Sequence, residues 1–163
     1  MDYDLIVPYI PNLRRYTRAL VGDRDAADDL VQDTLERAVR KFHLWRPGDL
    51  RAWHFSIMHN VFVNQLKARR IAPDVELDES FAAPMASVGP LDLEDMQRAL
   101  NTLAPEQHEV VLLVALEDMS YADVSRALGI PMGTVMSRLS RGREKLRRVM
   151  NENGPKAGLK VVT

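Results

Sequence analysis

Cysteine is missing from all 163 residues. No disulfide framework and no thiolate metal site can form, which fits a reducing, cytoplasmic setting. Long apolar runs are missing too. Nothing approaches the roughly 20 residues that span a bilayer, so no membrane insertion is expected. The opening MDYDLIVPYIPNL is acidic and broken by two prolines, unlike a signal peptide. Period-two alternation is weak everywhere, which argues against a sheet. Catalytic signatures are also lacking: there is no HExxH, no phosphate-cradling glycine loop and no GxSxG. His54 and His59 stand five apart, so on a helix they point in different directions. The carboxylates of the central segment have no apolar setting to tune them. These absences point away from an enzyme and leave no cofactor or metal expected.

A general excess of positive charge is absent as well, since the net charge is −1. That figure hides a strong asymmetry. Residues 1–70 carry a net +3, residues 71–130 a net −10, and residues 131–163 a net +6. A protein that coats nucleic acid would be basic throughout. Two basic regions flanking an acidic middle suit a chain that touches DNA at two places.

What is present is helical periodicity in two blocks. Between them, IAPDVELDESFAAPMASVGP, residues 71–90, holds three prolines and several acids and reads as a flexible acidic linker. The expected fold is therefore all-α: a helical unit over 1–70, the linker, a four-helix unit over 91–150 and a tail over 151–163. In the first unit, Tyr9, Leu13, Tyr16 and Leu20 recur at helical spacing and Gly22 stops that helix. Asp25 is the expected N-cap of the next, whose stripe is Leu30, Thr34, Leu35, Ala38 and Phe42. Asp49 caps a third, with Trp53, Ile57 and Val61 in one row and Met58 and Phe62 widening it. In the second unit Pro105 opens one helix, Ser120 caps the next and Pro131 opens the last.

The residues Tyr121 to Ser140, YADVSRALGIPMGTVMSRLS, have the internal grammar of a helix-turn-helix. Val124 and Leu128 lie one turn apart on the first helix. Gly129 supplies a turn that needs a positive φ. Ile130 and Val135 close the small core. The second helix continues into RGREKLRRVM, with arginines on its outward side. Such a helix is built to enter the major groove. Its N-terminal turns meet base edges, which makes Met136, Ser137, Ser140 and Arg141 the candidate readers. Arginine can bond guanine bidentately. Arg143, Arg147 and Arg148 lie farther along, where phosphate or water is the ordinary partner.

Three segments in this order resemble the bacterial sigma-70 family of RNA polymerase sigma factors, in its extracytoplasmic-function (ECF) group. DLVQDTLERAVRKF, residues 29–42, resembles the helix that binds core polymerase. RAWHFSIMHNVFVNQLKARR, residues 51–70, resembles the segment that opens the −10 promoter element. MSYADVSRALGIPMGTVMSRLSRGREKLR, residues 119–147, resembles the −35-reading segment. The resemblance implies a factor that binds core RNA polymerase and promoter DNA and is held in check by an anti-sigma factor. It implies polymerase contacts at Asp29, Gln32, Asp33 and Glu36. It implies −10 contacts at Trp45, Asn60, Asn64, Lys67, Arg69 and Arg70, where amides meet an extruded base and cations hold phosphates. Tyr121, Thr134, Arg138 and Lys145 join the four candidate readers in the implied −35 set. The linker's roughly 20 residues reach up to about 70 Å when extended.

Two positions depart from the family pattern. Met136 stands where Lys or Arg is frequent, and offers a thymine methyl an apolar contact instead. His59 stands where Arg is common before Asn, a change that lowers charge or adds sensitivity to pH. A rival reading within the same fold is a sigma-like module that sequesters an anti-sigma factor without binding promoters. The sequence shows no receiver unit, and its last helix keeps its arginines, so a promoter-reading factor is expected. A two-site repressor would leave the first unit unexplained.

Overall fold

The computed structural model of the protein describes residues 2–45, 48–71 and 91–153. Among the described residues there are helices and turns but no strand. The first unit comprises α1 (Asp2–Ile6), a 3-10 turn (Val7–Tyr9), α2 (Ile10–Val21), α3 (Arg24–Lys41), a second 3-10 turn (Phe42–Leu44) and α4 (Leu50–Ile71). The second comprises α5 (Leu91–Asn101), α6 (Pro105–Ala115), α7 (Tyr121–Leu128) and α8 (Met132–Asn153). Apart from Ile71, the expected linker lies outside the described residues. The last helix runs three residues into the expected tail.

Local chemistry sets these boundaries. Gly22 ends α2 at φ 85°, with its amide donating to the Arg18 carbonyl. The cap of α3 is Asp23, not Asp25: its carboxylate accepts from the Ala26 amide at 2.9 Å, and Asp25 lies inside the first turn. There Asp25 acts on the helix dipole instead of capping a free amide. Asp49 caps α4 as expected, accepting from the amides of Arg51 and Ala52 at 3.0 and 3.2 Å. Pro105 opens α6, where its missing N–H leaves nothing unpaired.

In the first unit Leu13, Tyr16 and Leu20 of α2 meet Leu30, Thr34 and Ala38 of α3 and Phe55, Met58 and Val61 of α4, all buried. The Thr34 hydroxyl is satisfied inside that core, donating to the Leu30 carbonyl at 2.7 Å. Trp53, expected in the apolar row of α4, and Phe62, expected to widen it, are only half-buried at the margins of the core. His54 takes a wholly buried place instead, stacked on Tyr9 with ring centroids 5.0 Å apart.

In the second unit α6 is apolar almost all round, and His108, Glu109, Val110, Val111, Leu112 and Leu113 are all buried. A helix of that kind belongs at the centre of a fold. One side of α6 packs on α8 and another on α2. In parallel, α4 packs on α7. The two units are thus docked face to face, and a single apolar cluster runs from Ile6 through Met58 and Val110 to Leu139. The sequence announced two units but not this shared core.

Candidate nucleic-acid interface

The helix-turn-helix is assembled as its residues imply. The Ser120 hydroxyl accepts from the Asp123 amide at 3.0 Å and starts α7. Gly129 ends it in the left-handed region, at φ 68° and ψ 36°. The Ser125 hydroxyl then donates to the Ile130 carbonyl at 2.5 Å and clamps the turn. Pro131 precedes α8, and its carbonyl accepts from the amides of Thr134 and Val135. Val124 and Val135 are fully buried between the helices, with Leu128 and Leu139 beside them. Each such burial is worth about 1.5–3 kcal/mol, enough to fix the angle at which α8 is presented.

This core leaves the opposite side of α8 in solvent. Met136, Ser140 and Arg141 are exposed, and Met136 keeps 46 % of its surface free. Thr134, Ser137 and Arg138 are half-buried along the same turns, and Tyr121 is half-buried at the start of α7. Lys145 is placed differently from its implied neighbours. Its ammonium donates to the Thr102 carbonyl at 2.8 Å and ties α8 to the end of α5. Arg147 pairs with Glu144 at 3.0 Å, while Arg143 and Arg148 are exposed beyond the candidate readers.

On α4, Asn60, Asn64, Lys67 and Arg69 are exposed. The side chain of Arg70 lies outside the described residues, as do Arg46 and Pro47. Trp45 is half-buried against Phe42, with ring centroids 5.4 Å apart, so it flanks the core more than it fills it. On α3, Asp29, Gln32, Asp33 and Glu36 share one exposed face. Gln32 and Glu36 border a groove between α2 and α3 that is also lined by Arg14, Leu35, Val39 and Arg40. Its mixed apolar and charged lining was not evident from spacing alone. Asp33 meets Gln65 of α4 at 3.5 Å. Among the described residues no helix is long and apolar enough to cross a membrane, and no cluster of three His, Asp or Glu is placed to hold a metal.

Comparison with known proteins matches residues 6–59 to the sigma2 domain of PhyR and residues 93–146 to sigma-70 region 4. The chain is 35% identical over 156 residues to the ECF RNA polymerase sigma factor EcfG of Rhodopseudomonas palustris, covering 93% of this chain and 86% of that one. This chain belongs to the ECF RNA polymerase sigma factors. The sigma factor is also 29% identical to the RNA polymerase sigma factor CarQ of Myxococcus xanthus, over 91% of this chain and 88% of that one. Its fold matches the sigma factor RpoE of Bartonella quintana, solved in complex with the anti-sigma factor NepR. The TM-score there is 0.79 and the identity 35%, over 93% of this chain and 97% of that one.

Sequence reasoning missed the groups that join the two halves of this sigma factor. Glu117 is 3% exposed, yet its carboxylate receives the Arg15 guanidinium at 3.1 and 3.4 Å. Its carbonyl accepts from Arg51 at 3.1 Å. Glu109, also 3% exposed, meets Nδ1 of His59 at 2.8 Å. Burial raises the Glu109 carboxyl, opposed by the hydrogen bond and charge of His59 and by the charge of Arg138. Tyr16 is buried within the field of both carboxylates, and burial, then Glu109 and Glu117, push its phenol well above the usual tyrosine range. The one signal available in sequence was Glu109 itself, a carboxylate inside the apolar run of α6.

Proposed function

We propose that the two units of this sigma factor divide the promoter between them while both ride on core RNA polymerase. The second unit reads the −35 element through α8, with Met136, Ser140 and Arg141 on base edges and Thr134, Ser137, Arg138 and Tyr121 beside them. The first unit holds core polymerase on the α3 face of Asp29, Gln32, Asp33 and Glu36. It takes the −10 strand along α4, where Asn60 and Asn64 stand one turn apart and Lys67, Arg69 and Arg70 supply phosphate contacts. Trp45 stacks on an extruded base from the edge of the Phe42 cluster. The residue spans 1–70 and 91–150 are the working units, joined by 71–90. Such a factor works where the polymerase is, in the cytoplasm. RNA synthesis itself stays with the polymerase.

The observation that carries this reading is the geometry of α8 in a chain of this family. A fully packed turn fixes the helix, and its first two turns present an exposed methionine, serine and arginine. Run-off transcription with purified core polymerase tests it. Specific starts on promoter DNA support the reading, and none at any ionic strength defeats it.

One observation favours a second reading. The match over residues 6–59 is to the sigma2 domain of PhyR. A module that binds an anti-sigma factor and no promoter would show that likeness. An anti-sigma factor is a proposed partner under both readings. The same transcription assay separates them, because the sequestering module yields no start.

A further inference from the structure

Met132 and Met136 stand one turn apart at the start of α8, with 42% and 46% of their surface in solvent. Neither enters the core of the helix-turn-helix, which takes Val135 and Leu139 from the same turns. Ser140 follows one turn later and is exposed as well, so Met132, Met136 and Ser140 form one outward row. Single exposed apolar side chains are ordinary on a protein surface. Here two stand in register on the helix proposed above to read the −35 element. No acidic side chain lies in the first turn of α8 to repel a phosphate.

Gly133 lies between them and is exposed. A β-carbon there would meet no atom within 4 Å, and its φ is not positive. Packing and backbone conformation therefore leave room for alanine, which favours a helix more than glycine does. Gly142, farther along α8, is different, because α6 fills the space where its β-carbon would stand. At Gly133 the bare backbone faces outward, where it lets a partner approach α8 closely.

The chemistry of the pair selects its partner. A thioether is at best a weak acceptor, so methionine reads no donor or acceptor pattern. In the major groove one base presents an apolar group, the 5-methyl of thymine. Pressed against the polar edge of guanine, adenine or cytosine, the same side chain would strip water from that edge and offer no bond in return. Methionine is unbranched and reaches its contact through three rotatable bonds. Four residues of helix advance about 6 Å, close to two base-pair rises of about 3.4 Å. We propose that Met132 and Met136 are a methyl-reading pair, which makes the sigma factor select thymines at two positions of the −35 element about two base steps apart, with Gly133 letting the helix seat close to the bases. The inference rests on the −35 reading by α8 proposed above and adds Met132 and Gly133 to its readers.

The rest of the face divides the work. Ser140 and Arg141 follow the methionines with hydrogen-bonding groups, both exposed. Along one edge α8 thus offers two apolar contacts and then two polar ones. The arginine suits a guanine, which it can bond bidentately, and the methionines suit thymines. The −35 element is therefore expected to carry thymines toward one end and a guanine toward the other.

The test deletes the methyl groups alone. The full chain, assembled with core polymerase, selects promoter duplexes from a pool randomised across the −35 region. The recovered sequence is remade with uracil for each thymine in turn, which removes the methyl and keeps every hydrogen-bonding group. Each methyl read by the pair should be worth about fourfold in affinity. Met136→Ala should lose the response at one thymine and keep it at the other, and Met132→Ala the reverse, a coupling that a double-substitution cycle isolates. Met136→Arg should move selection from thymine toward guanine at its position. Both methionines are exposed, so these variants keep the fold, and a circular-dichroism melt verifies this. Gly133→Ala should melt no lower than the unaltered protein and yet bind the selected duplex more weakly. Uracil without effect, a response at one thymine only, equal uracil losses in the alanine variants, or full binding by Gly133→Ala overturns the inference. A selected sequence without thymine overturns it too, and leaves −35 reading by α8 standing. If no sequence is enriched at all, promoter reading itself fails and the methyl-reading pair falls with it.

Discussion

A β-carbon on Gly142 would stand 2.8 Å from Cγ2 of Val111. Gly142 lies in the middle of α8, where glycine costs roughly 1 kcal/mol relative to alanine. It is tolerated because α6 passes too close for any side chain. Gly142→Ala gains helix propensity and forces Val111, which is stiff at χ1, out of its packed position. Overpacking of this kind costs about 1–3 kcal/mol, so the net effect is a loss of up to about 2 kcal/mol. A urea titration of Gly142→Ala, alone and with Val111→Ala, checks it. The second substitution should recover most of the loss, because it removes the methyl group that clashes.

Acid should weaken the fold through its buried histidines. Burial lowers His108 to about 4, against the pull of the Ala19 carbonyl. His54 is lowered as well, by burial and against its hydrogen bond to the Leu50 carbonyl. Both have a buried Nε2 with no protein partner. The folded state therefore holds them neutral, while the unfolded chain protonates near 6.5. Their contribution is complete above that value and is lost as pH falls toward 4. For His108 the loss reaches roughly 3 kcal/mol at most. Glu109 acts in the opposite sense: its raised carboxyl contributes most in acid and fades as pH climbs through its raised value. Unfolding midpoints between pH 8 and 4 should fall steeply below about 6.5. His108→Leu should flatten that fall, and an unchanged slope would remove His108 as its cause.

The local devices of this fold were legible because each is closed within a few residues. Ser120, Asp49 and Gly129 act on atoms no more than four positions away, and all three do what their residue types imply. The miss at Asp23 is of the same kind. Two aspartates stood two positions apart, and only the backbone, extended at ψ 130°, decides which one meets a free amide. The stripe of α4 was read one step off. A tryptophan was given the core and a histidine was not, yet His54 is buried beside a half-exposed Trp53 because Tyr9 supplies it a stacking face. The contacts between units were not legible at all. Arg15 and Glu117 are 102 positions apart, and nothing in the local pattern of either distinguishes a paired charge from a solvated one. Of the candidate readers, exposure followed from the helical period. The tie between Lys145 and Thr102 did not, because it depends on where α5 ends.

The proposed polymerase-binding face can be tested apart from DNA. Asp33 is exposed on α3, with only a 3.5 Å contact to Gln65, so the fold does not depend on its charge. Asp33→Arg reverses the charge in the middle of the face formed by Asp29, Gln32 and Glu36. It should lower co-purification with core polymerase at least about tenfold, since like charges at an interface cost several kcal/mol. Free stability should change by less than about 0.5 kcal/mol. Retention of full co-purification would move the polymerase contact off this face.

Arg141 and Arg148 are both exposed on α8, two turns apart, and their roles should separate by salt and sequence. Arg141 stands in the turns proposed to meet base edges. Arg141→Ala should cost about 1–3 kcal/mol on a matched −35 element and little on a scrambled one, so selectivity relaxes. Arg148 lies near the far end of the helix, where a phosphate is the proposed partner. Arg148→Ala should weaken binding to both DNAs alike and reduce the steepness of its salt dependence by about one counterion. Titrations of both variants on matched and scrambled duplexes over a range of salt make the comparison. Equal losses on the two duplexes for Arg141→Ala would make it a phosphate contact too. Sequence reading would then pass to Met136 and Ser140, whose side chains occupy the more N-terminal exposed positions of the same face.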